Sequence, residues 1–190
     1  MIDGAFLARI RIEALDRAKH DRKSFTCGDD RLDNFLKNTA GRQQKEDLTR
    51  VNVSCLDESV VVIGYYALNN HSIDASALPE PDRKKLPSYE SIPAIYLSKV
   101  GVQRELQGHG LGQHLVGHAF KRCIEIANLS GAYFVVLDAL NEDAARLYRR
   151  LGFVDVPGHK ERMLITMSAI RKAATQPTNP TPEPTPADRT

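Results

Sequence analysis

A mixed α/β chain, an α+β arrangement built on a mixed sheet, is predicted from three observations. Two runs rich in β-branched residues, Val51 to Leu56 and Val60 to Leu68, are separated only by Asp57-Glu58-Ser59, a length suited to a hairpin. Further on, the strand-like run Pro93 to Val102 passes through a glycine turn into an amphipathic helix, Leu111 to Leu129, and then into the apolar run Tyr133 to Leu137. Strand, turn, helix and strand make a βαβ unit with a parallel pair. The stretch from about Lys172 onward holds half of the ten prolines and many threonines. It cannot bury a core, so a domain over residues 1–170 is expected, followed by a disordered tail over 171–190.

Bulk composition narrows the function classes. A chain of 190 residues, 42% hydrophobic and 26% charged, has ordinary soluble composition. A formal net charge of +2 is too small to announce a nucleic-acid binder, so any affinity for RNA must come from local patches. Cys27, Cys55 and Cys123 are far apart and outside any C-x-x-C spacing, which indicates neither a disulfide framework nor a metal site. The apolar run Ala5 to Ala8 is broken by Arg9, and no stretch approaches the roughly 20 apolar residues of a membrane span. A cytoplasmic protein with reduced thiols and no membrane partner is the expectation.

Taken in order, Leu7 to Leu15 alternates apolar and polar residues and predicts a half-buried strand. Arg17 to Lys23 is a basic linker, and Ser24 to Asp30 a loop ending in helix-capping residues. A helix from Asp30 or Arg31 should bury Leu32, Phe35, Leu36 and Thr39, with Arg31, Asp33, Lys37 and Asn38 toward water, and end before Glu46. The run Val60 to Ile63 suggests a central, well-buried strand. Asn69 to Ile92, with Pro79, Pro81 and Pro87, predicts a long loop with one helical turn and a wall of the acceptor site. On the long helix, Leu111, Leu115, Ala119, Cys123 and Ile126 form the buried stripe, and His114, His118, Lys121 and Glu125 fall on the other side. Asn141 can cap a second helix anchored by Leu147 and Leu151, Gly152 can end it, and strands should follow at Phe153-Val154 and Met163 to Met167.

The chemistry concentrates at Gln107-Gly108-His109-Gly110-Leu111-Gly112. Glycines let backbone N–H groups approach an anion, and the following helix adds its free N–H groups and positive dipole end. A P-loop is excluded, because the spacing and the lysine are missing. A dinucleotide fold would place a ribose-binding acid at Asp138, but it needs Gly-x-Gly-x-x-Gly and more βα units than follow here. Each piece also has a purely structural role open to it: the glycines as a turn, Asn141 as a helix cap, Tyr148 as a packing tyrosine. His114 and His118 have the i, i+4 spacing of a metal pair without the glutamate of a zinc protease motif, so they read as solvent-side histidines and no metal is expected.

Together, Gln107-x-x-Gly110-x-Gly112, Asn141 after the next strand, and Ala145 to Phe153 with its Tyr148-x-x-x-Gly152-Phe153 segment resemble the GCN5-related N-acetyltransferase (GNAT) family over about residues 7 to 170. The resemblance implies a GNAT acyltransferase fold with a splayed parallel strand pair, and acetyl-CoA as the acetyl donor. It implies that Gln107, Gly108, His109, Gly110, Leu111 and Gly112 hold the pyrophosphate, with Val100, Val102, Asn141 and Tyr148 also at the cofactor. A backbone N–H near Val100 would then face the thioester carbonyl, and Tyr148 would protonate the leaving thiolate.

Within the family, Ser24 to Leu36, Gly64 to Leu68 and Ile95 to Val102 are similar to the toxin-antitoxin branch that acetylates the α-amine of aminoacyl-tRNA and pairs with a ribbon-helix-helix antitoxin. Candidate RNA contacts are Arg17, Lys19, Arg22 and Lys23, then Lys99, Arg146, Arg149 and Arg150. Ser98-Lys99 and Gly101 depart from the Gly-Arg and Ala common in this branch. Two other function classes stay open, an acetyltransferase for a small-molecule or protein amine and a non-catalytic CoA-binding module. A homodimer is compatible with all of them.

Overall fold

The computed structural model describes residues 4–78, 80–84, 86 and 90–175. A short helix α1 (Gly4–Ala8) precedes strand β1 (Ile10–Ala14). Leu7 and Ala8 were expected in the strand. They are helical because the ladder begins at Ile10 opposite Leu56, after which the partner strand turns away at Asp57, where φ is 47°.

Helix α2 (Asp30–Asn34), a π-helical turn over Phe35–Thr39 and α3 (Ala40–Lys45) follow one another without a break. Asp29 caps α2, its carboxylate accepting from the N–H groups of Arg31 and Leu32 at 2.9 and 3.1 Å. Asp33, expected to face water, is buried and accepts the N–H of Cys27 at 2.8 Å. It ties the preceding loop to the helix, a role that hydrophobic periodicity does not reveal.

Strands β2 (Arg50–Leu56) and β3 (Gly64–Asp74) form the first hairpin, which closes at the Ser54 and Gly64 pair. Val60 to Ile63 therefore lies in the connection and not in a central strand. Its backbone pairs instead with Asp21, through Asp21 N–H to Val60 O and Val62 N–H to Asp21 O, both 2.9 Å, and Val60 and Val61 stay exposed. Conversely β3 runs six residues past the expected end at Leu68, because the segment Asn69 to Asp74 has a full antiparallel partner in Tyr96 to Ser91. What remains of the predicted loop carries a 3-10 turn at Ala75–Ala77 and one helical turn, α4 (Glu80–Arg83).

Strand β4 (Ser91–Val102), helix α5 (Leu111–Ser130), β5 (Phe134–Asp138), α6 (Glu142–Arg150), β6 (Val154–Asp155), β7 (Arg162–Thr166) and α7 (Met167–Thr175) complete the chain. The seven strands form one sheet in the order β1-β2-β3-β4-β5-β7-β6, antiparallel except for β4 and β5. Lys172 to Thr175, expected in the tail, continue α7, which Arg171 pins to Asn128 of α5 at 2.6 Å. The rest of the predicted tail lies outside the described residues.

Alternation along β3 supplies both faces of the sheet. Tyr66 and Leu68 join Leu111, Leu115, Val116, Ala119 and Cys123 of α5, together with Met167 and Ile170. Tyr65 and Ala67 face the opposite layer of Phe25, Phe35, Leu36 and Ala40. Each large side chain buried this way contributes about 1.5–3 kcal/mol. On α6 the buried anchors are Ala145 and Tyr148, while Leu147 and Leu151 are only half-buried. His118 is not a plain solvent-side residue: it is half-buried on α5 and shares a 2.8 Å hydrogen bond with the Tyr66 hydroxyl.

Candidate active site

The sheet opens at a defined point. Opposite β3, Ala67 pairs with Lys99 and Leu68 with Leu97, so Ser98 is an extra residue in β4 and makes a β-bulge. The parallel ladder between β4 and β5 covers only Ala94 to Tyr96 against Phe134 to Val136, ending two residues before the bulge. Leu97 to Val102 therefore continues without β5 beside it, as the expected splay requires. The cleft so formed comprises two adjoining cavities of 530 and 280 Å³ that share Asp29, Arg31, Leu32, Val100 and Leu140 in their walls.

Gln107, the first residue of the glycine turn, lines the larger cavity. Gly108 and Gly110 have φ of 76° and 91°, a conformation that side chains with a Cβ rarely adopt. A Cβ added at either would meet no atom within 4 Å, so the requirement is conformational and the surface above the turn is open. Among the described residues, no protein acceptor pairs with the backbone N–H groups from Gly108 to Gln113, while His114 N–H already reaches Gly110 O. Successive free donors at the start of a 20-residue helix suit a diphosphate. Leu111 sends its side chain into the core, His109 is exposed, and a Cβ added at Gly112 would come within ordinary contact of Leu147.

Gln107 differs from its expected role as a donor to the phosphates. Its N–H is used on Arg104 O at 3.2 Å, and its side-chain amide donates to Cys27 O at 2.7 Å and Val102 O at 3.0 Å. Thr26 adds two more ties, accepting Arg104 N–H at 2.8 Å and donating its own N–H to Gln103 Oε1 at 3.0 Å. Gln107 is therefore the brace between the glycine turn and the loop that leads into α2.

Val100, Val102 and Asn141 line the larger cavity, and Val100 and Tyr148 the smaller. Asn141 uses its side-chain oxygen to cap α6 on Ala144 N–H at 2.9 Å, leaving its amide nitrogen for a ligand. Tyr148 is buried, its ring edge-on to Phe153 at 5.7 Å, and its hydroxyl is neither paired with protein nor sealed from the cleft. Burial pushes the phenol up to about 12, so it is protonated at neutral pH. The structure thus joins Gln107 of the glycine turn, Asn141, Val100 and Tyr148 around one cleft, from the end of β4 and its turn on one side and α6 with its cap on the other.

The basic residues named for RNA do not converge there. Only Lys99 lines the cleft; it is half-buried, lies 5.6 Å from the Phe35 ring centroid, and has its pKa lowered by desolvation, with Arg31 adding repulsion. Arg22 is a structural residue, donating to Leu36 O at 3.0 Å. It shares a separate 590 Å³ hollow with Arg17, Lys19 and Lys23. Arg146 pairs with Asp143, and Arg149 is held by Glu142 at 2.7 Å and Asp155 at 3.0 Å. Arg150 is exposed on the same helix.

Several cleft residues were not singled out from the sequence. Arg31 and Arg104 bring cations to the larger cavity, and Tyr96 and Glu161 line the smaller one beside Asp138, which had been weighed only as a ribose-binding acid. The signal for Arg104 lay in its place three residues before Gln107. Arg31 was assigned to water by helical periodicity alone. Among the described residues no group of three His, Cys, Asp or Glu side chains is arranged to hold a metal ion, and no helix is long and apolar enough to cross a membrane.

A splayed parallel pair, a glycine turn of free N–H groups after its first strand and a tyrosine at its base define an acyl-carrier transferase site. Residues 62–153 match the model of the acetyltransferase (GNAT) family, and the chain belongs to that family. It is 39% identical over 167 residues to a probable toxin TacT of Sinorhizobium fredii, covering 84% of this chain and 92% of the relative. It is 32% identical over 151 residues to a tRNA-acetylating toxin of Mycobacterium tuberculosis, covering 80% and 89%. Among solved structures, a tyrosine-to-phenylalanine variant of KacT superposes with a TM-score of 0.81 at 27% identity, covering 87% of this chain and 99% of the other. AtaT complexed with acetyl-methionyl-tRNAfMet gives 0.80 at 30% identity, with the same coverage.

Proposed function

We propose that this protein is an acetyl-CoA-dependent N-acetyltransferase that transfers the acetyl group directly to the α-amine of aminoacyl-tRNA, as the toxin of a toxin-antitoxin pair in the cytoplasm. The observation that carries the reading is the near full-length likeness to a tRNA-acetylating toxin, together with a cleft whose donor side is complete. Solved relatives of the same fold include AtaT bound to acetyl-CoA and to the C-terminus of its antitoxin AtaR, which supports acetyl-CoA and an antitoxin as partners here. The antitoxin proposed is of the ribbon-helix-helix type.

In this reading, the N–H groups of Gly108 to Gly112 hold the pyrophosphate of the donor, and the cleft between β4 and β5 takes its arm. The N–H near Val100 stabilises the charge that develops on the thioester oxygen. Tyr148 delivers its proton to the departing sulfur. A phenol near 12 is a weak acid toward a free thiolate of about 8.5. A thiolate leaving inside the same buried site is raised by the same desolvation, which narrows the gap. The aminoacyl ester amine is substantially neutral near pH 7, so no strong base is needed to deprotonate it.

The test is incubation of the pure protein with isotopically labelled acetyl-CoA and charged tRNA, followed by mass analysis of the aminoacyl end. N-acetylated aminoacyl product is expected; label that stays in acetyl-CoA, or passes only to added peptide or small-molecule amines, removes the tRNA reading.

A further inference from the structure

The smaller cavity, which contains Val100 and Tyr148, also has Tyr96 and Asp138 in its wall. Tyr96 is the last β4 residue paired with β5, and Asp138 is the last residue of β5, so both stand where the strands part. The Tyr96 hydroxyl donates to Asp138 Oδ2 at 2.8 Å. Arg162, opposite Asp138 in the ladder with β7, donates Nε to Oδ1 at 2.8 Å and Nη2 to Oδ2 at 3.0 Å. The Tyr96 ring is also packed 5.4 Å from that of His71.

A phenol has one proton, and here it is committed to a carboxylate that a guanidinium holds in place. The oxygen can then only accept from a further partner. Burial and the neighbouring carboxylate push Tyr96 up to about 12, so the hydroxyl keeps that proton. A neutral amine about to attack a thioester must point its lone pair at the carbonyl carbon and has only N–H groups to offer the protein. A neutral oxygen can accept one of them without the full negative charge that would favour the unreactive ammonium form. Asp138 supplies that charge to Tyr96 and Arg162 and is balanced by them.

We propose that Tyr96 is the acceptor-binding residue, its oxygen accepting a hydrogen bond from the neutral amine, with Asp138 and Arg162 as positioning residues that turn its proton away from the amine. This rests on the N-acetyltransferase reading above and deepens it by naming how the amine is held.

The experiment compares wild type with Tyr96→Phe, which keeps the ring, at saturating acetyl-CoA and varied acceptor, with the Kd for acetyl-CoA measured by calorimetry. Charged tRNA and a peptide amine are run in parallel. Activity of wild type on the peptide alone then reports against the tRNA reading, while Tyr96 is still tested on the amine that is used. The expected result is a fall of about tenfold in kcat/KM for the acceptor, carried mainly by KM, with acetyl-CoA affinity unchanged. Acceptor kinetics equal to wild type overturn the proposal, as does a wild type that binds acetyl-CoA and acetylates neither amine. If Tyr96→Phe fails to bind acetyl-CoA, Asp138→Asn gives the same comparison: a raised acceptor KM is expected, and unchanged acceptor kinetics overturn it.

Discussion

The side-chain amide of Gln107 donates to the carbonyl of Cys27 at 2.7 Å across 80 residues of sequence, joining the glycine turn to the loop that leads into α2. With the Thr26 ties to Gln103 and Arg104, this bond braces one wall of the cleft against the other. Gln107→Ala removes this tie and the one to Val102 O while leaving every backbone donor of the turn in place. A several-fold weaker acetyl-CoA Kd is expected, since each hydrogen bond contributes about 0.5–1.5 kcal/mol. Titration calorimetry checks it, and an unchanged Kd would remove the bracing role.

The turn itself is tested by Gly110→Ala. No atom obstructs the added methyl, yet φ of 91° strains any residue with a Cβ. The variant should fold with a loss of roughly 1 kcal/mol and bind acetyl-CoA less well, because the N–H groups are re-aimed. Thermal melts with and without acetyl-CoA separate the two effects: the ligand-induced rise in Tm should shrink more than the apo Tm falls.

Tyr148→Phe keeps the ring against Phe153 and removes only the hydroxyl. Turnover should fall by about 10²-fold or more, with acetyl-CoA affinity little changed. Because burial raises the phenol to about 12, its protonated form persists with rising pH, and wild-type kcat should show no alkaline loss from this group up to about pH 10. Stopped-time assays across pH 6 to 10 read both effects. Equal turnover in wild type and variant would end the assignment of Tyr148 as acid.

Away from the cleft, Glu13 accepts from Lys19 Nζ at 2.7 Å, from His20 Nε2 at 3.1 Å and from Arg11 at 2.9 Å. His20 Nδ1 lies 2.9 Å from the N–H and 3.1 Å from the carbonyl oxygen of Asp16, which fixes the ring with Nε2 toward Glu13. Lys19 first, then His20, holds the Glu13 carboxyl down at about 2, against an ordinary 4.5. A lowered carboxylate contributes stability that is present above the ordinary value and is lost as pH falls from about 4.5 toward 2. Glu13→Gln should therefore lower Tm at pH 7 and narrow its difference from wild type as the pH approaches 3. A difference that is constant with pH would contradict the linkage.

The parts proposed for the donor half of the site were legible in the sequence because they are local. A glycine turn, a helix cap and a tyrosine on the capped helix each leave a short-range mark, and their order carried the fold of the second half. What was not legible depends on register. The end of β3 at Asp74 is set by its pairing with β4, and the bulge at Ser98 by a one-residue mismatch between strands. The run Val60 to Ile63, of which Val60 and Val61 are exposed, shows the same point in reverse: strong strand propensity yielded to a backbone partner at Asp21. Asp33 and Arg31 were both assigned to water by helical period; Arg31 is indeed exposed, at the rim of the cleft, but Asp33 is buried to hold Cys27. The acceptor side is assembled from Tyr96, Asp138 and Glu161 on separate strands and turns, and no sequence spacing brings those three together.

The central question is the acceptor, and it is settled by competition. Charged tRNA, the same tRNA uncharged, and a peptide with a free α-amine are offered together to the pure protein with labelled acetyl-CoA, and the label is followed in each. Label should accumulate on the amino group of charged tRNA, with none on uncharged tRNA and little on the peptide, and Tyr148→Phe should abolish most of it. Label that accumulates on the peptide while charged tRNA stays unmodified would contradict the proposed function.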